Sequence, residues 1–433
     1  MRESQISLPV DEMPDKWYNI VPDLPFKLPP PKDPETGESR IKLLGRRMIG
    51  ECLRQEASDS RWIDIPEGIR ELYIQAGRPR PLYRAYRLEE KLHLSKPRIY
   101  YKREDLSPTG SHKVNTALAQ AYYAEKEGKK VLVTETGAGQ WGTALSFASC
   151  MMGLTTVVFW VRAVHDWKAD RRALMKMYGA EVHASPSSQT SFGRSLLDKD
   201  PKHPGSLAIA VSEGLEYTDG SPDRVYCLGS VLNHVLIHQS IIGLESIKQF
   251  ELADDSPDVV IGCLGGGSNF GGIALPFMGE VLAKKRSCDF LAAQSEAAPN
   301  LVKGKYRYDF GDASGQTPLL KMYTLGHDAP SQPIRSDGLR YHAAAPIISG
   351  LRNSGHLSAV AYPSDEVAVF DAAKLFLESE GWLIAGESAH AVRAAIDVAK
   401  RAEEKGEEKR ILMNISGHGF LDIDAYRDKL SLG

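Results

Sequence analysis

A lysine placed where a helix begins sits in an unfavourable field unless the chain has a use for it there. In Lys102-Arg103-Glu104-Asp105-Leu106-Ser107-Pro108-Thr109-Gly110-Ser111-His112-Lys113-Val114-Asn115, a strand ends, a Ser/Pro/Thr/Gly turn follows, and Lys113 opens a helix. The positive end of the helix dipole disfavours an ammonium at that point. The same field lowers the pKa of the amine and suits it to act as a nucleophile or imine former. Taken alone, such a lysine is ordinarily a surface residue that follows a turn. A second feature, Gly265-Gly266-Gly267-Ser268-Asn269, comes directly after the apolar run Val259-Val260-Ile261-Gly262-Cys263. Successive glycine amides at a helix start make an anion cradle, and phosphate is its natural guest. A tight strand-to-helix turn explains the glycines equally well, and no Walker-type Gly-Lys-Ser/Thr follows.

The third feature is Thr134-Glu135-Thr136-Gly137-Ala138-Gly139-Gln140-Trp141-Gly142. Its amides and Thr136 are suited to a substrate carboxylate at the next helix start, and Glu135 to a substrate N–H. A solvated strand-end acid is the plainer reading of Glu135. The remaining two are Glu387-Ser388-Ala389-His390, a helix start, and Ser416-Gly417-His418-Gly419, a tight turn after a strand. A histidine such as His390 is more often a satisfied core residue than a catalytic group. Together, however, the five features supply an imine-forming amine, a phosphate cradle, a carboxylate anchor and a strand-end serine. Those are the needs of pyridoxal 5'-phosphate (PLP): imine, phosphate, substrate anchor and pyridine-nitrogen partner.

The elements that position these groups alternate from about Arg98 onward. Ile99–Lys102, Val131–Thr134, Thr156–Trp160, Val259–Cys263, Phe290–Ala293 and Ile411–Ile415 read as strands. Helical spacing follows in Val114–Tyr122, through Phe147 to Met151, and from Arg171 to Tyr178 before Gly179. A further helix is expected after Ser364, with Asp365 and Glu366 in its first turn. The pattern predicts an α/β fold of mostly parallel sheets covered by helices, with ligands off the carboxyl ends of the strands. Before this, Pro22, Pro25, Pro29, Pro30, Pro31 and Pro34 punctuate residues 1–60, which are expected to wrap or extend and not to join a regular core. No element is predicted between Glu296 and Pro346.

With 433 residues, 42% hydrophobic and 25% charged, the chain is of ordinary globular composition and long enough for two or three domains. A net charge of −3 gives no sign of a nucleic-acid partner. No apolar run approaches a membrane span, and no signal peptide is visible, so a cytoplasmic protein is expected. Cys52, Cys150, Cys227, Cys263 and Cys288 are scattered and odd in number. Buried, reduced thiols are expected, with neither a disulfide framework nor a metal site.

In their order and wording, the motifs from Gly77-Arg78-Pro79-Arg80-Pro81-Leu82 to Gly419 resemble the tryptophan synthase β subunit family, fold-type II PLP enzymes. Residues 1–61 and the stretch from Arg335 to Leu351 are similar to the longer, divergent second class of these chains. The resemblance implies two α/β domains with the cofactor between them. These are expected at 61–240 (with 79–111 able to pack on the other domain) and 241–433. It implies a lyase that condenses indole with L-serine to L-tryptophan. Lys113 would be the Schiff-base lysine and proton shuttle. His112, Gly265, Gly266, Gly267, Ser268 and Asn269 would hold the phosphate, Ser416 the pyridine nitrogen, and Glu387 would lie near the ring. Glu135 would meet the indole nitrogen, and Thr136, Gly137, Ala138, Gly139 and Gln140 the amino-acid carboxylate. A homodimer, an α subunit bound stably or transiently, and a monovalent cation also belong to what the family implies. Two departures stand out: Trp141 where the main class has histidine, and Arg340 in Gly338-Leu339-Arg340 where it has aspartate. A guanidinium at 340 suits an anionic leaving group and points to O-phosphoserine as an alternative donor, unless it only pairs with Asp337 or gates the site. A serine or threonine dehydratase and a catalytically quiet paralogue are the competing functions.

Overall fold

The computed structural model describes residues 4–37, 45–330 and 332–432. Two sheets carry the fold. The larger has seven strands in the order Gln5–Ile6, Leu82–Arg84, Arg98–Arg103, Arg410–Ile415, Val259–Cys263, Asp289–Ser295 and Ser358–Tyr362. Its first two pairings are antiparallel and the other four parallel. The smaller, all-parallel sheet runs Glu181–Ser185, Thr155–Val161, Val131–Thr136 and Arg224–Tyr226. The apolar strands are buried almost end to end, as expected where helices cover both faces of a parallel sheet. Four strand ends converge on one region: Arg103 leads to Lys113, Thr136 to Gln140, Cys263 to the glycine cradle, and Ile415 to Ser416.

The Gly77–Leu82 segment has a structural task. Arg78, Lys102, Glu104 and Glu245 are all buried, with Arg78 2.6 Å from Glu104 and 2.7 Å from Glu245, and Lys102 2.7 Å from Glu245. The Arg78 guanidinium also donates to Asn115 Oδ1 at 3.1 Å, two residues past Lys113. Loss of one such buried partner costs about 3–5 kcal/mol, because the other is left charged and unpaired. The start of the Val114–Lys126 helix is thereby tied to the larger sheet.

The structure corrects four expectations. The proline-rich segment joins the core: Lys16–Tyr18 pairs with Trp62–Asp64, Trp17 is fully buried, and Phe26 lies over Gly350. Prolines between short extended pieces allowed this wrapping; residues 1–3 and 38–44 of that segment lie outside the described residues. The stretch expected to lack elements holds the one-turn helix Asn300–Lys303, an antiparallel pair, Lys305–Asp309 with Leu320–Thr324, and a 3-10 turn at Asp337–Leu339. The late helix begins at Val367, with Glu366 before it at φ +60°. The Glu366 carboxylate accepts the amides of Arg335 (2.6 Å) and Ser336 (2.9 Å), so it anchors a loop and does not serve the helix dipole. All five cysteines are free; Cys52, Cys227 and Cys263 are buried, but Cys150 is exposed and Cys288 half-buried. Among the described residues, no helix is long and apolar enough to cross a membrane.

Candidate active site

The turn before Lys113 is closed by the Ser107 hydroxyl, which accepts from Ser111 N and donates to Ser111 O, both at 2.8 Å. Gly110 has φ +67°, and a Cβ there would meet His418 Nε2 at 2.7 Å, so glycine is needed on both counts. The turn delivers Lys113 Nζ to the Gly229 carbonyl and to Ser268 Oγ, 2.8 Å away. Burial pushes this amine down to about 8, against the opposing pull of Glu135, Cys263 and Glu387. An amine near neutrality can exchange a proton in either direction.

Ser268 opens the 15-residue helix Ser268–Leu282, and Gly265, Gly266 and Gly267 precede it. A Cβ on Gly265 would come within 2.3 Å of the Gly338 carbonyl oxygen, one on Gly266 within 2.9 Å of Ser230 Oγ, and Gly267 has φ +125°. The cradle is therefore lined by bare backbone. His112 packs beside it, Nε2 3.1 Å from Ser268 Oγ and Nδ1 3.3 Å from the Ser416 carbonyl. Burial and the Lys113 charge hold its pKa well below the usual histidine range, so the ring is neutral. Asn269 is fixed by donation to Cys263 O (3.1 Å) and acceptance from Asn414 (2.6 Å). Ser416 Oγ lies 2.9 Å from Ser388 Oγ and 3.5 Å from Cys263 Sγ, so among the described residues its hydrogen-bond partners are neutral groups. A dianionic phosphate fits the amide cradle, and an unprotonated ring nitrogen fits a hydroxyl partner.

Across the cavity, Glu135 accepts the Tyr226 hydroxyl on Oε2, and burial raises its pKa to about 7. Glu387 accepts Gly338 N (2.8 Å) and Gln140 Nε2 (3.2 Å), and burial pushes it up as well. Arg340 donates to Asp337 Oδ1 at 3.2 Å, while Lys168 lies 3.3 Å from Asp337 and 3.1 Å from Asp422. One cavity of about 740 Å3 is lined by Lys113, His112, Glu135, Thr136, Gly137, Ala138, Gln140, Gly265–Asn269, Arg340, Glu387 and Ser416. Gly139 stands behind the wall: at φ +95° it starts the Gln140–Met151 helix, and a Cβ on it would strike Arg171 at 2.4 Å. His390 is fully buried and bonded to Gly386 O at 2.9 Å, a core histidine. Sequence reasoning missed Tyr226, Lys168, Asp337's second partner and Asp422. Their pairings join residues 91 or more positions apart, and no local spacing announces them.

Over residues 73–417 the chain matches the family of pyridoxal-phosphate dependent enzymes. It is 51% identical over 427 residues to tryptophan synthase beta chain 2 of Methanothermobacter thermautotrophicus, a match covering 99% of each chain. To the tryptophan synthase beta chain of Pyrococcus horikoshii it is 53% identical over 420 residues, covering 97% of this chain and 91% of that one. A fungal L-serine ammonia-lyase from Rhizomucor miehei superposes with TM-score 0.58 and 16% identity, over 81% of this chain and 98% of that one. At that identity the likeness is one of fold alone.

Proposed function

The chain belongs to the pyridoxal-phosphate-dependent enzymes and, among them, to the tryptophan synthase β chains; on that premise we propose how its cleft performs the reaction. It is a PLP-dependent lyase that condenses indole with L-serine to L-tryptophan and water. The observation that carries the residue assignment is the meeting of Lys113 Nζ with the phosphate cradle, 2.8 Å from Ser268 Oγ. Bound PLP supplies an electron sink that makes the α proton of an amino acid acidic and its β substituent a leaving group. Lys113 would hold the cofactor; His112, Gly265, Gly266, Gly267, Ser268 and Asn269 its phosphate; Ser416 its pyridine nitrogen; and Glu387 would flank the ring. The free amine of Lys113, its place on the cofactor taken by the substrate's amine and its pKa near 8, would remove the α proton and later return it at the same carbon. Thr136, Gly137, Ala138 and Gln140 hold the substrate carboxylate at the start of the Gln140–Met151 helix, with Gly139 shaping the turn behind them. Glu135 takes the N–H of indole and thereby raises the electron density of the carbon that attacks. A hydroxyl and not a carboxylate at Ser416 would leave the pyridine nitrogen unprotonated and so would limit the side reactions that a stronger sink opens.

Arg340 bears on the donor. It lines the cavity, and Asp337 keeps Lys168 as a second cation, so Arg340 is not needed merely to neutralise that acid. We propose that it recognises an anionic β substituent, which makes O-phospho-L-serine a donor alongside L-serine. Arg340→Ala is then expected to lower kcat/KM for O-phosphoserine about 10- to 100-fold and that for serine less than about threefold, as judged from the loss of one charge-assisted bidentate contact. Equal losses on both donors, or a wild-type enzyme no better with O-phosphoserine than with serine, would end this assignment. The overall reading is tested by tryptophan and pyruvate formation from indole with either donor. Pyruvate alone makes the protein a dehydratase, and neither product makes it a quiet paralogue. A companion α-type chain is proposed as the source of indole, checked by whether such a chain co-elutes with this one.

A further inference from the structure

Glu135 has two oxygens, and the chain treats them differently. Val133 pairs with Tyr226 in the smaller sheet, so Glu135, two residues on, projects from the same face as the Tyr226 ring. The Tyr226 hydroxyl donates to Oε2. Thr134 is the nearest rival donor, 3.5 Å from Oε2, but its single proton goes to the Cys227 carbonyl at 2.7 Å. Its oxygen in turn accepts Trp141 Nε1 at 2.6 Å, so Thr134 is occupied elsewhere on both counts. Tyr226 itself has no freedom to swing: it is 1% exposed, and its ring fills the space a Cβ on Gly214 would need, 2.7 Å away. Among the described residues the side-chain donors to this carboxylate, Tyr226 and Thr134, both address Oε2 and none addresses Oε1, and Glu135 lines the cavity.

We infer that Tyr226 is a positioning residue for the acceptor step, locking Oε2 so that Oε1 is the oxygen that meets the indole N–H. This rests on the reading of Glu135 given above. Four other groups face Glu135. Lys113 approaches as a cation from the helix start, and Tyr226, Cys227 and Tyr341 are neutral, burial holding all three above their usual ranges. Burial raises Glu135 to about 7, and the Tyr226 donor restrains that rise. Removing the donor therefore lifts the carboxyl further, and the ionised form that accepts N–H is reached only at higher pH. A hydrogen bond to a charged group corresponds to roughly one to two pH units.

The test uses the holoenzyme with Tyr226→Phe and Glu135→Gln, following kcat/KM for indole across pH alongside exchange of the serine α proton in deuterated water without indole. Tyr226→Phe deletes one hydroxyl and keeps the ring, and the exchange reaction reports that the donor half of the site is intact. The expected result is an acid limb moved up by about one pH unit or more and kcat/KM for indole down about tenfold at pH 7, with exchange changed less than about twofold. An unmoved acid limb, or exchange falling as far as kcat/KM, overturns the inference. If Glu135→Gln leaves kcat/KM for indole intact, the Glu135 reading itself fails and the inference with it. If Glu135→Gln is damaging and Tyr226→Phe silent, the inference alone fails.

Discussion

Replacing Lys113 with alanine is expected to cut tryptophan formation by about a thousandfold or more and to abolish the visible absorbance of protein-bound PLP. A positioned general acid–base group contributes roughly 10²- to 10⁴-fold, and this amine is assigned cofactor attachment as well. No neighbour can take its place. His112 is neutral with both ring nitrogens engaged, and Glu135 is held by Tyr226 on the far wall. The loss should fall on kcat, since Gly265–Asn269 and Thr136–Gln140 would still bind phosphate and carboxylate. Folding should survive, because truncation removes a cation that burial already disfavours and leaves Gly229 O and Ser268 Oγ beside a cavity that water can enter. Tryptophan formed at the wild-type rate, measured with indole and either donor, would refute the assignment of Lys113.

How much of this site is written locally can be judged residue by residue. Lys113, Gly265–Asn269, Glu135 and Ser416 each sit at a strand-to-helix or strand-to-turn junction, where turn chemistry and apolar periodicity coincide within some ten residues. Such junctions are readable because backbone geometry demands glycine, serine or proline at particular places. The resemblance then assigns each junction a role that periodicity alone leaves open. Other features were not readable. In Lys305–Asp309 the tyrosines alternate with charged residues and both faces stay partly exposed, so the strand carries no apolar stripe. Glu366 sits at φ +60° with its carboxylate accepting two amides from a loop 30 and 31 residues earlier, a long-range reason that defeats local helix signals. Trp17 reads as part of a proline-broken tail, yet it is fully buried and packs 4.6 Å from the His238 ring, more than two hundred residues away. Asp337 appears in sequence as a neighbour for Arg340, and that contact exists, but its pairing with Lys168 arises only when the two sheets meet.

Gly265→Ala should weaken PLP binding about 10- to 100-fold and destabilise the apoprotein by about 1–3 kcal/mol, the usual cost of forcing an extra methyl into a packed site. The new Cβ would lie 2.3 Å from Gly338 O, 3.3 Å from Gly338 C and 3.4 Å from Leu339 Cα. These are backbone atoms, so no side-chain rotation relieves the overlap and either the cradle or the 337–339 turn must move. Neither is free to do so without loss. Gly338 N donates to Glu387 Oε1 at 2.8 Å, Asp337 is paired with Lys168 and Arg340, and Asn300 holds the Gly265 carbonyl at 3.1 Å. A shift of the turn would displace Glu387 from the ring, whereas a shift of the cradle would misalign the amides that bind phosphate. Titrating the apoprotein with PLP measures the first effect and urea unfolding the second. Gly311→Ala is the control, because its nearest contact would be an ordinary 3.5 Å and it belongs to neither element. Equal affinity for PLP in Gly265→Ala and wild type would mean that the phosphate does not rest on this loop. A stability loss without an affinity loss would mean that the loop yields at the Gly338 side and the cradle keeps its shape.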